Sequence, residues 1–280
     1  MTPQGKRVYA LELEPQRSER PDSSTTMPIG VTLRNPAPRQ HADAESLSEA
    51  RAILAEFADA LGPWDPKLAR TGPRLHLNGA SAGALAVVHG MLGEGAMTIE
   101  IARPRSLLVQ ETTFAGVWRI CRLDACGEAI DEWLEAAAFP ELVTQIARDA
   151  ASPAFAGQPR SGIPSAVLER VGAAMRACTP DTAACIINLT LPALTPEDRR
   201  LIDAMLPAGP VAITSRGFGL CRIHSTRAHD VWRVQYFDGA NSLVLDTLEI
   251  VQVPEIAVAA IEDLEDTSER LADLVDWMDE

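Results

Sequence analysis

Val117-Trp118-Arg119-Ile120 and Val231-Trp232-Arg233-Val234 are one four-residue pattern written twice, 114 positions apart. Working outward at that offset, the register never slips. Leu75-His76-Leu77 meets Leu189-Thr190-Leu191, and Met91-Leu92-Gly93-Glu94-Gly95 meets Met205-Leu206-Pro207-Ala208-Gly209. Asp124 meets Asp238, Leu134-Glu135 meets Leu248-Glu249, and Pro140-Glu141 meets Pro254-Glu255. A gapless match of this extent is a duplication signal, with a period too long for a solenoid. The sequence predicts an α+β protein of two tandem duplicated mixed α/β domains related by a pseudo-two-fold axis. The expected layout is an extended N-terminal arm (1–46), repeat domain 1 (47–150), a linker (151–163), repeat domain 2 (164–259) and an acidic C-terminal helix (260–280).

Within each copy the apolar periods predict helix, strand, helix and then a meander of about three strands. Leu47, Ala50, Ile53, Leu54, Phe57 and Leu61 recur at helical spacing, as do Val167, Leu168, Val171 and Met175 in the second copy. Short strands are expected around 75–77 and 186–191. Thr195-Pro196-Glu197-Asp198 carries the marks of a helix start, an N-cap with proline and acids in the first turn. Gly209-Pro210 is expected to end that helix before a strand from Val211. Asp230–Phe237 and Ser242–Val251 flank the turn Asp238-Gly239-Ala240-Asn241 and predict a hairpin. The arm holds one strand-like piece at Arg7–Leu13. Asp266 or Thr267 is the expected cap of the last helix, with Leu271, Leu274, Val275 and Met278 on one face.

Composition narrows the function. The chain has 280 residues with 46% hydrophobic and 23% charged, ordinary globular values, and a net charge of −14. That charge opposes nucleic acid as a partner, since phosphate binding needs a basic face. No apolar run approaches the ~20 residues of a membrane span, so stable membrane association is not expected. Residues 1–20 lack a hydrophobic signal core, which makes the cytoplasm the expected location. Cys121, Cys126, Cys178, Cys185 and Cys221 fit no zinc spacing and read as reduced thiols. No cofactor or metal site is expected.

Ser215-Arg216-Gly217-Phe218-Gly219-Leu220-Cys221-Arg222-Ile223-His224-Ser225-Thr226-Arg227 is the stretch richest in chemistry. A phosphate cradle needs glycine amides ahead of a helix, whereas the residues after Gly219 alternate like a strand. A turn or bulge is the favoured reading. At the offset of 114, Cys221 matches Leu107 and His224 matches Gln110, so a cysteine nucleophile with a histidine base is disfavoured. What the second copy adds to the shared frame is glycine and arginine, the makings of a recognition surface. The repeated Trp-Arg has two readings: a core tryptophan backed by an exposed arginine, or a partner surface, since both residues are enriched at binding hot spots.

Several segments resemble the hydrogenase expression/formation proteins of the HupH/HyaF type. They are Gln110-Glu111-Thr112-Thr113-Phe114-Ala115-Gly116-Val117-Trp118-Arg119, Ser215–Ile223 with Ser225-Thr226-Arg227, Val231–Phe237, and Val253-Pro254-Glu255 with Glu262–Asp266. The resemblance spans most of residues 70–280. It implies a non-enzymatic cytoplasmic accessory protein of nickel-iron hydrogenase maturation, handling the iron–sulfur small-subunit precursor before assembly and export. A thioredoxin-like hydrogenase accessory protein is the second implied partner. The candidate partner-binding residues are Arg216, Gly217, Gly219, Arg222, Ser225, Thr226, Arg227, Trp232, Arg233, Gln235, Glu111, Trp118 and Arg119. The alternative is an iron–sulfur or metal carrier in which Cys178, Cys185 and Cys221 converge.

Overall fold

Asp43 starts the first helix, α1 (Ala44–Leu61), by accepting a hydrogen bond from Ser46 N at 2.8 Å. Such a cap satisfies one of the donors that every helix N-terminus leaves open. The computed structural model describes residues 43–101, 106–152, 162–179, 182–192, 194–217 and 219–278. Ala50, Leu54, Phe57 and Leu61 form the buried stripe of α1. β1 (Thr71–His76) and α2 (Ala82–Leu92) follow, then β2 (Met97–Ile101), β3 (Leu107–Glu111), β4 (Val117–Leu123), β5 (Ala129–Ala137) and α3 (Glu141–Asp149). The second half runs α4 (Ile163–Ala177), β6 (Cys185–Asn188), α5 (Pro196–Met205), β7 (Ala208–Ser215), β8 (Leu220–Thr226), β9 (Val231–Phe237) and β10 (Leu243–Ile250). A 3-10 turn, Glu255–Ala257, leads to α6 (Ile261–Trp277).

The chain is α+β, and among the described residues ten strands make one sheet, ordered β1-β5-β4-β3-β2-β7-β8-β9-β10-β6. Every pairing is antiparallel, including the β2–β7 contact that joins the halves, where Ile99 pairs with Ile213 and Ile101 with Val211. Four strands run in succession on each side of that contact, one more than the meander expected. The early strands β1 and β6 close the two far edges.

Helices flank one face of the sheet. There α1, α2 and α6 bury Val117, Leu134 and Ala136 of β4 and β5. Further along, α4 and α5 bury Val231, Leu248 and Ile250 of β9 and β10. The opposite face carries Ile99, Val109, Trp118, Ile120, Ile213, Ile223, Trp232 and Val234, with Val143 and Ile146 of α3 and Ala257 packed on it.

Local signals hold where the chemistry is local. Thr195 Oγ1 and the Asp198 carboxylate cap each other's backbone amides, and Pro196 sits in the first turn of α5. That helix ends at Met205, not at Gly209-Pro210, which lie inside β7. The β7–β8 register slips between Ala208 and Ala212, and this irregularity accommodates a residue without an amide hydrogen. A Cβ on Gly209 would collide with Ser225 Oγ. The last helix starts at Ile261, ahead of the expected cap at Asp266 or Thr267, with Glu262 and Asp263 in its first turn to offset the helix dipole. Thr267 is not its cap. Its buried hydroxyl donates to Ala115 O at 2.8 Å and ties α6 to the β3–β4 turn. Leu271 and Val275 join the cluster of α1 and α2, with Leu274 and Met278 packed at its margin. The arm up to residue 42, with its Arg7–Leu13 piece, and linker residues 153–161 lie outside the described residues.

Candidate functional site

The expected partner-binding residues fall into four places. Arg216, Gly217 and Gly219 form the exposed β7–β8 turn, while Phe218 lies outside the described residues. Gly219 holds φ +109, backbone that favours glycine, and a strand follows it. Arg216 N donates to Ala96 O at 3.0 Å, so this turn leans on the loop that leads from α2 into β2. Glu111 anchors the same loop from within. Gly95 N donates to its carbonyl at 2.7 Å, and Met97 N donates to its carboxylate at 3.2 Å. Burial raises the pKa of that carboxyl.

Ser225, Thr226 and Arg227 lie at the opposite end of β8. Ser225 Oγ accepts from Val211 N at 3.1 Å. Thr226 Oγ1 accepts from Ala228 N at 3.1 Å and donates to Val231 O at 2.8 Å, stitching the β8–β9 turn. Both side chains are buried and occupied, and of the three only Arg227 is exposed.

The Trp-Arg pairs are interior. Trp118 is 0% and Trp232 is 2% exposed. Trp118 Nε1 donates to Ala137 O at 2.9 Å, and Trp232 Nε1 donates to Val251 O at 3.1 Å. Neither indole is at a surface that a partner reaches. The arginines point to the helix side. Arg119, expected to be exposed, is 4% exposed, with Nε 3.6 Å from Glu132, whose Oε1 is 2.7 Å from His89 Nε2 of α2. Burial pushes the Glu132 carboxyl up, but His89 and Arg119 outweigh it and hold its pKa below the usual value. In the second half, Arg233 grips the fully buried Asp246 through two hydrogen bonds and reaches Asp203 on α5. Burial opposes charge on Arg233, yet the two carboxylates raise its pKa further.

The thiols do not gather. Cys221 faces the α3 side, whereas Cys178 and Cys185 pack against the α4–α5 cluster on the other face. Burial, then the charge of Glu249, pushes the Cys221 thiol up to about 11, and burial with Glu132 pushes Cys121 up to about 12. Among the described residues no group of three His, Cys, Asp or Glu is placed to hold a metal ion. No helix among them is long and apolar enough to cross a membrane.

The remaining expected residues, Arg222 and Gln235, pair across β8 and β9 in a fourth place, whose other members sequence reasoning missed. β2 and β8, and β7 from Val211 onward, have one buried and one half-buried face, whereas β4 and β10 are buried on both faces over most of their length. The half-buried faces point to the helix side, between the two helical flanks, and present Thr98, Glu100, Thr214, Arg222 and His224. The signal was the strict alternation Met97-Thr98-Ile99-Glu100-Ile101, which marks a strand with one open face.

The model of the HupH hydrogenase expression protein, C-terminal conserved region, matches this chain twice, over residues 47–156 and 164–278. The chain belongs to the HupH family of hydrogenase expression proteins. Hydrogenase expression/formation protein HoxQ of Cupriavidus necator is 34% identical over 260 residues, covering 90% of each chain. Hydrogenase-1 operon protein HyaF of Escherichia coli is 29% identical over 201 residues, covering 69% of each. Hydrogenase expression protein HupH of Thiobacillus denitrificans, a solved structure, is 23% identical with a TM-score of 0.38, covering 44% of this chain and all of that one.

Proposed function

We propose that this chain is a non-enzymatic accessory protein of nickel-iron hydrogenase maturation, which binds the iron–sulfur small-subunit precursor in the cytoplasm before assembly and export. A thioredoxin-like hydrogenase accessory protein works beside it. The observation that carries the reading is the family region, matched over most of the chain and shared with relatives named for hydrogenase expression and formation. Two properties support a binding role. The net charge of −14 suits a client that begins with a basic leader, because opposite charges steer encounter. The exposed turn at Arg216 is held against a second loop and so offers a fixed shape.

The two halves are read as a tandem duplication about a pseudo-two-fold axis through the β2–β7 contact. The mirrored strand order and the double family match support this. So do partners at the offset of 114, where Arg119, Glu132 and His89 correspond to Arg233, Asp246 and Asp203. Thr112 and Thr226 stitch equivalent turns.

The test is affinity purification of the tagged full chain from cells expressing a complete hydrogenase operon. Recovery of the small-subunit precursor, with affinity that falls as salt rises, is the expected result. Recovery of no hydrogenase subunit or accessory protein overturns the reading.

A further inference from the structure

The middle of the sheet carries a row of polar side chains across five adjacent strands, from the buried Gln110 of β3 through half-buried ones on the other four. Cross-strand pairing places Gln110 beside Thr98, Thr98 beside Thr214, Thr214 beside Arg222 and Arg222 beside Gln235, all on the helix-flanked face. Thr98 donates to the Gln110 side chain at 2.8 Å. Among the described residues, the side chains of Thr214, Arg222 and Gln235 hydrogen-bond to no other residue, and Arg222 has no carboxylate partner. Its guanidinium lies 4.8 Å from the centre of the Phe237 ring. Stacking on a ring leaves the planar N–H edge of an arginine free, and that edge matches a carboxylate in a two-point hydrogen bond. A half-buried cation without a counter-charge is costly, so a ligand carboxylate is favoured there. The local field agrees: burial, then Arg222 and Arg233, lowers the pKa of neighbouring His224.

The shape selects the occupant. Backbone groups in the middle of a sheet are spent on the ladders, so a strand has nothing to pair with on this face. A helix instead packs through side chains. Strands spaced ~4.8 Å apart make the three-strand floor of β2, β7 and β8 about 14 Å wide, and a helix with its side chains is about 10–12 Å across. We propose that this floor seats one helix of the hydrogenase small-subunit precursor, held by a carboxylate of that helix on Arg222. The proposal rests on the client reading above.

The test measures binding of purified small-subunit precursor to the full chain and to Arg222→Gln, Arg222→Lys, Thr214→Trp and Thr214→Ser. Circular dichroism and melting establish that each variant is folded. The expected result is a loss of about ten- to a hundredfold in affinity for Arg222→Gln, the worth of one charge-assisted pair. Thr214→Trp, which fills the floor, loses as much, Arg222→Lys loses less, and Thr214→Ser binds as wild type. Should Thr214→Trp fail to fold, Arg222→Gln decides alone. Wild-type binding with equal binding by Arg222→Gln overturns the cleft and leaves the client reading standing. No binding by the wild type overturns both, since the proposed occupant is part of that client.

Discussion

Arg233 closes a two-point hydrogen bond on Asp246, Nε to Oδ1 at 2.9 Å and Nη2 to Oδ2 at 2.8 Å, across adjacent strands β9 and β10. The carboxylate is completely withdrawn from solvent, Arg199 also approaches it at 3.5 Å, and the Asp246 backbone amide donates to Thr190 Oγ1 at 2.8 Å. Removing Asp246 leaves Arg233 only the exposed Asp203, and removing Arg233 leaves the buried carboxylate only the more distant Arg199. Asp246→Ala is expected to cost about 3–5 kcal/mol in urea unfolding, as broken buried pairs do. Arg233→Lys recovers only part of that loss, because an ammonium cannot reproduce the fork.

The seat of α6 is a second sensitive point. Gly116 holds φ +72, and a Cβ there would run into Leu264 of α6. Gly116→Ala is expected to destabilise by about 1–3 kcal/mol through backbone strain alone, with the collision adding to it. Thr267→Val removes a hydroxyl shared between Ala115 O and Asp263 O and is expected to cost about 1 kcal/mol. Thermal melting ranks the two, and an equal effect would contradict the packing described.

The placement of the thiols makes a reactivity prediction. With Cys221 pushed up to about 11 and Cys121 to about 12, both stay protonated at pH 8 and resist iodoacetamide in the folded chain. Exposed Cys126 is alkylated first, as peptide mass spectrometry reads directly. Alanine at all five cysteines is expected to keep client binding and to lower only stability. Loss of function in a folded five-alanine variant would instead favour a carrier.

His224 gives stability a pH dependence. Its pKa is lowered by burial, then by Arg222 and Arg233. The unfolded chain therefore takes up the imidazole proton first as pH falls. The stabilisation is present above the ordinary histidine pKa and is lost as pH drops through it towards the lower folded value. His224→Gln, which copies Gln110 at the matching position, is expected to flatten this part of the melting-temperature profile between pH 7.5 and 5. An unchanged slope rules the assignment out.

Elements fixed by neighbours in sequence are legible in the chain itself. The start of α5 is one, because Thr195, Pro196 and Asp198 do their capping within four residues. The buried stripe of α6 is also readable, but not its address, since periodicity names the buried face without naming what covers it. Arg119 looks exposed in the sequence because its partner is remote: Glu132 on the next strand, itself held by His89 on an earlier helix. The β2–β7 contact is invisible for the same reason, as ladder bonds carry no side-chain signature. Of the candidate site, Arg216 and Arg227 lie at the surface, while Ser225 and Thr226 are occupied in stitching a turn. Thr98 and Thr214 escape notice because a threonine acquires meaning only from the row it joins.

The helix that completes the first hydrophobic cluster is the last one made. Leu271 and Val275 share a core with Leu54, Phe57 and Leu134, so a ribosome must translate the entire second half before that core can close. At ordinary elongation rates the interval is on the order of ten seconds. During it the apolar surface that α6 will cover waits exposed on the nascent chain. A protein proposed as a chaperone for another's assembly thus passes through a stage of synthesis in which it is itself a client.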